Sequence, residues 1–246
     1  MDKRWIVVLL AVTVVFLGIR GEGKEATHTV PSFSSPETTV PVTSEAKETV
    51  EFPYVLRGTG LIAEHLAQYE GEFLENDSRK PVSGVAALMV YNPGSHGVYQ
   101  VTVQLLQGDA ILTFEIACLP PHSRVLVLER DARPYSRADV TACEYLSFSA
   151  DDFALREDRV ELREEDGRIV LKNTSGETLT GLAVVYKQFA PKGKFYLGGA
   201  AKRCEIGILQ PGESMAVMPY GYVFGYSHVL AVEFEQEKAA AQQPPF

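Results

Sequence analysis

The most constraining feature of the chain is a short run of alternating residues, repeated many times and closed each time by turn formers. Tyr99, Val101, Val103 and Leu105 fall on one side of an extended backbone, and Gln100, Thr102 and Gln104 on the other. A period of two is what a strand with one buried face requires. Leu112, Phe114, Ile116 and Cys118 repeat the pattern, as do Ile169 with Leu171, and Leu182, Val184 and Tyr186. Asn92-Pro93-Gly94, Gly108-Asp109, Asn173 to Gly176 and Pro211-Gly212 separate these runs. Short strands at regular spacing, with turn chemistry between them, predict an all-β fold built from sandwiches.

The second half of the folded part reads as a copy of the first. Gly167 to Tyr220 opens G-R-I-V-L-K-N-T-S-G and closes L-Q-P-G-E-S-M-A-V-M-P-Y, and the same grammar begins at Gly84 with G-V-A-A-L-M-V-Y-N-P-G. The expected organisation is two tandem Ig-like β-sandwich modules. A helix plus module one occupies 52–150, a charged connection 151–166, module two 167–235, and a flexible tail 236–246. A single composite sandwich with interleaved strands is the alternative. Ile62, Leu66, Tyr69 and Phe73 recur at helical spacing, which predicts one N-terminal helix over Leu61–Glu75.

Ahead of the strands the composition changes twice. Residues 1–20 place Lys3 and Arg4 before the uncharged, apolar run Trp5–Ile19. As a helix that run covers about 22 Å, the length of a signal-peptide core or a minimal signal anchor. The expectation is a membrane segment with the remainder outside the cytoplasm, or a secreted protein if the segment is cleaved. Residues 21–51 are rich in Ser, Thr, Pro and Glu, the composition of a disordered spacer.

The chemistry that the chain could carry is narrow. A formal charge of −9 and no cluster of Lys and Arg exclude a nucleic-acid surface. There is no G-x-S-x-G, no H-E-x-x-H and no glycine-rich phosphate loop, and the five histidines share no ligand spacing. No enzyme activity, metal or cofactor is expected. Asp151, Asp152, Glu164, Glu165 and Asp166 lack the ordered spacing of a calcium loop and read as a solvated turn. Of three cysteines, Cys118 and Cys143 could bridge if their strands are neighbours. Asn76-Asp77-Ser78 and Asn173-Thr174-Ser175 match the N-glycosylation triplet.

The sharpest binding candidate is P-Y-G-Y-V-F-G-Y-S-H from Pro219, where Tyr220, Tyr222, Phe224 and Tyr226 take alternate positions. An extended backbone would set them in one aromatic row. Such a row either packs into the core or, exposed, stacks against a sugar ring or a partner side chain. The two readings carried forward are an interaction or structural module for an envelope protein, and a glycan- or cell-wall-binding module.

The run from Gly167 to Lys187, followed by I-L-Q-P-G-E-S, resembles the FxLYD-like group of small extracytoplasmic β-sandwiches, with A-V-V-Y-K (Ala183–Lys187) in the place of that group's F-x-L-Y-D. Residues 52–235, including F-L-E-N-D-S-R-K-P-V, L-P-P-H-S-R-V-L-V-L-E and F-Y-L-G-G, are similar to membrane-anchored proteins of Gram-positive anaerobes. These resemblances imply a membrane-tethered β ectodomain and bring no catalytic residues.

Overall fold

The alternating runs become strands in the computed structural model, which describes residues 49–76, 78–149 and 153–235. The proposed anchor, the spacer as far as residue 48, and the tail 236–246 lie outside the described residues. The first half contributes β1 (Tyr54–Val55), β2 (Ile62–Glu72), β3 (Pro81–Asn92), β4 (Val98–Gln107), β5 (Ala110–Leu119), β6 (Ser123–Leu128) and β7 (Val140–Ser149). The second contributes β8 (Val160–Glu165), β9 (Arg168–Asn173), β10 (Leu179–Ala190), β11 (Phe195–Leu209), β12 (Ser214–Val217) and β13 (Ser227–Glu233).

The helix expected over Leu61–Glu75 is instead strand β2, paired antiparallel with β3 from Ile62↔Tyr91 to Glu72↔Pro81. The residues read as one helical face lie on two faces of this strand: Leu66 packs against the cluster of Ala86 and Leu88, and Tyr69 and Phe73 against that of Val85 and Ala87. The register shift between Ala63 and His65 inserts Glu64 into β2, whereas the one between Tyr69 and Glu70 leaves its extra residue, Gly84, on β3. β3 supplies the tertiary reason. It is buried on both faces, with Val85 to Val90 almost wholly inaccessible, so its hydrogen-bonding edge needs a strand beside it.

Seven strands form one sheet in the order β1-β2-β3-β6-β11-β10-β13, taking four from the first half and three from the second. The halves meet through the parallel pair β6 and β11, which share only the partners Val125↔Tyr196 and Leu126↔Leu197. Two three-stranded sheets, β5-β4-β7 and β12-β9-β8, complete the architecture.

Alternation along the large sheet assigns its faces. Ala86, Leu88, Val90, Val125, Val127, Val185 and Tyr196 point to one side and pack with Val101, Val103, Leu105, Phe114 and Ile116 of the β5-β4-β7 sheet. Leu182, Val184 and Tyr186 point the other way and pack with Val160, Ile169 and Leu171 of the β12-β9-β8 sheet. Each small sheet thus covers a different face of the large one. Tyr99, expected in the inward row of β4, is exposed, whereas Val101, Val103 and Leu105 are buried.

Candidate binding site at the junction of the two halves

The β6–β11 pairing stops where β11 bulges at Gly198 and Gly199. On the β10 side, Tyr186↔Lys202 is followed directly by Gln188↔Leu197, so Gly198 to Ala201 loop out of the ladder. Backbone groups released there need partners, because an orphaned buried amide costs about 1–3 kcal/mol. Two ionisable side chains supply them.

Glu75, just after β2, accepts hydrogen bonds from Leu128 N (2.7 Å) on β6 and from Gly199 N (2.8 Å) and Ala200 N (3.3 Å) on β11. Its carboxylate bridges the strands where their own ladder ends. Lys187 on β10 donates to Gly199 O (2.7 Å) and to Ala117 O (2.8 Å) on the outer edge of β5. Both backbone groups of Gly199 are therefore satisfied by side chains. The residue must also be glycine, since a Cβ there would lie 1.8 Å from Glu115 O.

Burial dominates the electrostatics of this junction. Desolvation pushes the Glu75 carboxyl above its ordinary range, opposed by the three N–H donors and by the nearby ammonium of Lys187. Lys187 is wholly buried, and desolvation lowers it from 10.5 to about 8 against the opposing pull of Glu75. The neighbouring Cys118 thiol is pushed up to about 11 by burial. Cys143 is likewise pushed up to about 12. Both cysteines are free, with β4 standing between their strands. Two strand spacings, roughly 9–10 Å, exceed the reach of a disulfide.

Beside the junction lies a cleft of about 350 Å³, lined among others by Leu74, Asn76, Arg79, Gln188, Lys202 and Tyr220. Arg79 lies in the β2–β3 connection, and Lys202 lies on β11 opposite Tyr186. Lys202 Nζ stands over the Tyr220 ring, 5.4 Å from its centroid. Arg79 Nη1 makes a long ion pair to Glu72 at 3.8 Å. Gly221, at φ 70°, closes the approach: a Cβ there would sit 3.0 Å from Arg79 Nη2 and 3.2 Å from Lys202 Nζ. Both cationic ends thus converge on one point under the loop.

That loop carries the four aromatic candidates, and it is not a strand. Residues 218–226 make two tight turns, closed by Tyr222 N to Pro219 O (3.1 Å) and Tyr226 N to Val223 O (2.9 Å). The single row expected from alternation is absent because Gly221 and Gly225 both take positive φ and reverse the chain. Tyr220, Phe224 and Tyr226 are exposed at 73%, 58% and 57%, and Met218 and Val223 are exposed alongside them. Tyr222 turns inward, meeting Tyr186 edge-on at 5.4 Å and donating its hydroxyl to Glu164, with burial and that carboxylate raising its pKa.

The loop is held from beneath. Pro219 and Ser227 are buried, Tyr186 Oη donates to Tyr220 O (2.6 Å), Phe189 N donates to Tyr226 O (2.6 Å), and Val223 N donates to Ser227 Oγ (3.0 Å). Tyr186 and Lys202 gave no distinctive sequence signal, because an inward strand tyrosine and a strand lysine are ordinary. The spacing between Arg79 and Lys202 likewise hides their convergence.

Other motif residues that the structure describes are engaged in packing and turns. Among the described residues, no group of three or more His, Cys, Asp or Glu side chains could hold a metal ion. No described helix is long and apolar enough to cross a membrane. His228 stacks on Phe189 at 4.7 Å, and Ser227 Oγ is engaged with the loop backbone. Asn173 is fully buried, donating to Glu177 O (2.7 Å) and Leu209 O (2.9 Å), so that triplet is a structural turn. No protein-family model, curated protein or solved structure matches the chain.

Proposed function

We propose that the protein is a non-enzymatic, membrane-tethered module outside the cytoplasm that engages an envelope partner through the 218–226 loop. The observation that carries this reading is the exposure of five large apolar side chains on one hydrogen-bonded loop: Met218, Tyr220, Val223, Phe224 and Tyr226. A contiguous apolar surface held in a fixed shape marks an interaction site more often than chance exposure does. Tyrosine and phenylalanine bring large contact area at little cost in side-chain entropy. The two halves would act as tandem Ig-like modules sharing the seven-stranded sheet. The anchor and spacer would hold them away from the membrane.

The test is retention of the full-length chain on purified cell wall and on envelope protein from the producing cell. The native chain is compared with a Tyr220→Ser, Phe224→Ser, Tyr226→Ser form. At least tenfold weaker retention of the triple form is expected. Equal retention on both materials would overturn the reading. Glycan binding is the second reading. It is favoured by the cleft beside Tyr220, which places polar side chains within reach of an exposed aromatic ring.

A further inference from the structure

We infer that the open side of the second half, where the edges of β11 and β12 lie together, is the docking surface for a second copy of this chain, paired antiparallel through β11 about Cys204. The inference goes beyond the partner reading above and does not use the 218–226 loop.

The second half is a sandwich of β11, β10 and β13 over β12, β9 and β8, and its two sides end differently. On the β13 side the chain closes the layers: Ala154 O accepts from Val232 N at 2.9 Å, and the Arg159 guanidinium lies over the Phe234 ring. On the other side, β11 meets β6 only at Tyr196 and Leu197, and β12 pairs only with β9. Among the described residues, Arg203 to Ile208 and Ser214 to Val217 therefore have no partner strand on their outer edges. Cys204, Ile206, Met215 and Val217 lie in the seam between these edges and are only half-buried, and Ile208 is 56% exposed. An unpaired edge over a half-covered apolar seam is a template for another chain.

The charges select the occupant. Antiparallel self-pairing about Cys204 sets Arg203 opposite Glu205 of the second copy, and Glu205 opposite Arg203 of the second copy. Two opposite-charge pairs thus arise from one sequence, which is the reciprocity of a twofold interface. Both side chains are placed for this: Glu205 is 73% exposed, and Arg203 holds its own Glu205 and, at 3.0 Å, Glu233. The guanidinium has donors enough to share between these acids and that of the second copy. The β10–β11 ladder is regular from Ala183↔Glu205 to Tyr186↔Lys202, so the central residues are presented at strand spacing. The shift that leaves Ile206 unpaired and the looped-out residues 198–201 bound this stretch, so the interface is short and the association reversible. A formal charge of −9 makes two copies repel at a distance, and contact therefore depends on these local pairs.

The full-length chain in a neutral detergent tests the inference by sedimentation and by oxidation with copper–phenanthroline. Directly opposite residues of an antiparallel pair have Cα atoms about 4.5–5.5 Å apart, within disulfide reach, so Cys204 should cross-link the native chain to a dimer. Cys118 and Cys143 are buried and leave that product to Cys204. Cys204→Ser should abolish the cross-link and keep the concentration-dependent dimer in sedimentation. Glu205→Arg sets two arginines opposite each other and should weaken self-association about fivefold or more, with the melting temperature within a few degrees of native. Arg203→Glu should weaken it similarly. The two substitutions together should restore association close to native, because the pairs reform with their charges exchanged. A native chain that stays monomeric at every concentration, single variants that associate as well as native, or a folded double variant that fails to recover would each overturn the inference.

Discussion

The Gly199 junction and the 218–226 loop lie on either side of one cleft and solve opposite problems. At the junction, charged side chains are buried and each finds backbone partners. On the loop, apolar side chains are exposed above a hydrogen-bonded frame. Burying Lys187 and Glu75 works against their ionised forms, and leaving Tyr220, Phe224 and Tyr226 in water gains no hydrophobic stabilisation. The contrast teaches that unfavourable placement has different meanings in the two regions. The buried charges hold the halves of the sheet together, so removing them should cost stability. The exposed aromatics do not hold the fold, so removing them should cost binding.

The largest effect is expected at Gly199. A Cβ 1.8 Å from Glu115 O and 2.7 Å from Val127 Cγ2 cannot be relieved by a side-chain rotation, because the nearest obstacle is backbone. Gly199→Ala should destabilise the chain by about 4–5 kcal/mol or prevent folding, read from urea denaturation. A loss below about 1 kcal/mol would mean that β5 and β11 separate easily and that the junction is not a rigid joint. Glu75→Ala comes next. It leaves Leu128 N, Gly199 N and Ala200 N without their acceptor, and a loss of about 3 kcal/mol is expected. Glu75→Gln keeps one carbonyl acceptor and should recover only part of this.

The Lys187 prediction concerns pH. Burial lowers its pKa from 10.5 to about 8, so between those values the folded chain binds fewer protons than the unfolded one. Stability contributed by this residue therefore rises with pH across that window and is lowest below pH 8. Cys118 and Cys143 act oppositely above pH 9, because burial keeps their thiols protonated in the folded chain alone. Both remain in a Lys187→Met variant, so the comparison largely cancels them. The native chain should gain up to roughly 3 kcal/mol over Lys187→Met between pH 8 and 10. A constant difference in chemical denaturation across that range would show that water reaches the ammonium.

Most strands were legible because burial on one face writes a period of two into the residues. Leu112, Phe114, Ile116 and Cys118 are buried as read, and so are Ile169, Leu171, Leu182, Val184 and Tyr186. β2 was misread because Leu66 and the pair Tyr69 and Phe73, spaced like one helical face, lie on opposite faces of a strand, and a local pattern carries no record of the strand it pairs with. A sheet shared by both halves stood only as the alternative of a composite sandwich, since two residue pairs between β6 and β11 leave no periodic trace. At the candidate site, the aromatic residues were visible as a cluster. Their geometry was not, because Gly221 and Gly225 turn an apparent row into a loop. Arg79 and Lys202 were missed for a simpler reason: their meeting point exists only once the halves are joined.

The smallest expected change in stability sharpens the comparison within the loop itself. Tyr222 is its inward residue, touching Tyr186 and donating to Glu164, so Tyr222→Ala should cost about 2 kcal/mol through lost packing and a lost hydrogen bond. Phe224→Ser with Tyr226→Ser removes side chains that are mostly in solvent, and should leave stability within about 0.5 kcal/mol of native. The frame below does not depend on those two side chains, because Tyr226 contributes its backbone carbonyl to Phe189 N and Ser227 Oγ holds Val223 N. Matched denaturation and envelope-retention measurements on the two forms should therefore move in opposite senses, one losing stability and the other losing binding. A large stability loss in the Phe224, Tyr226 form would place those rings in the fold's own packing and remove the distinction between junction and loop.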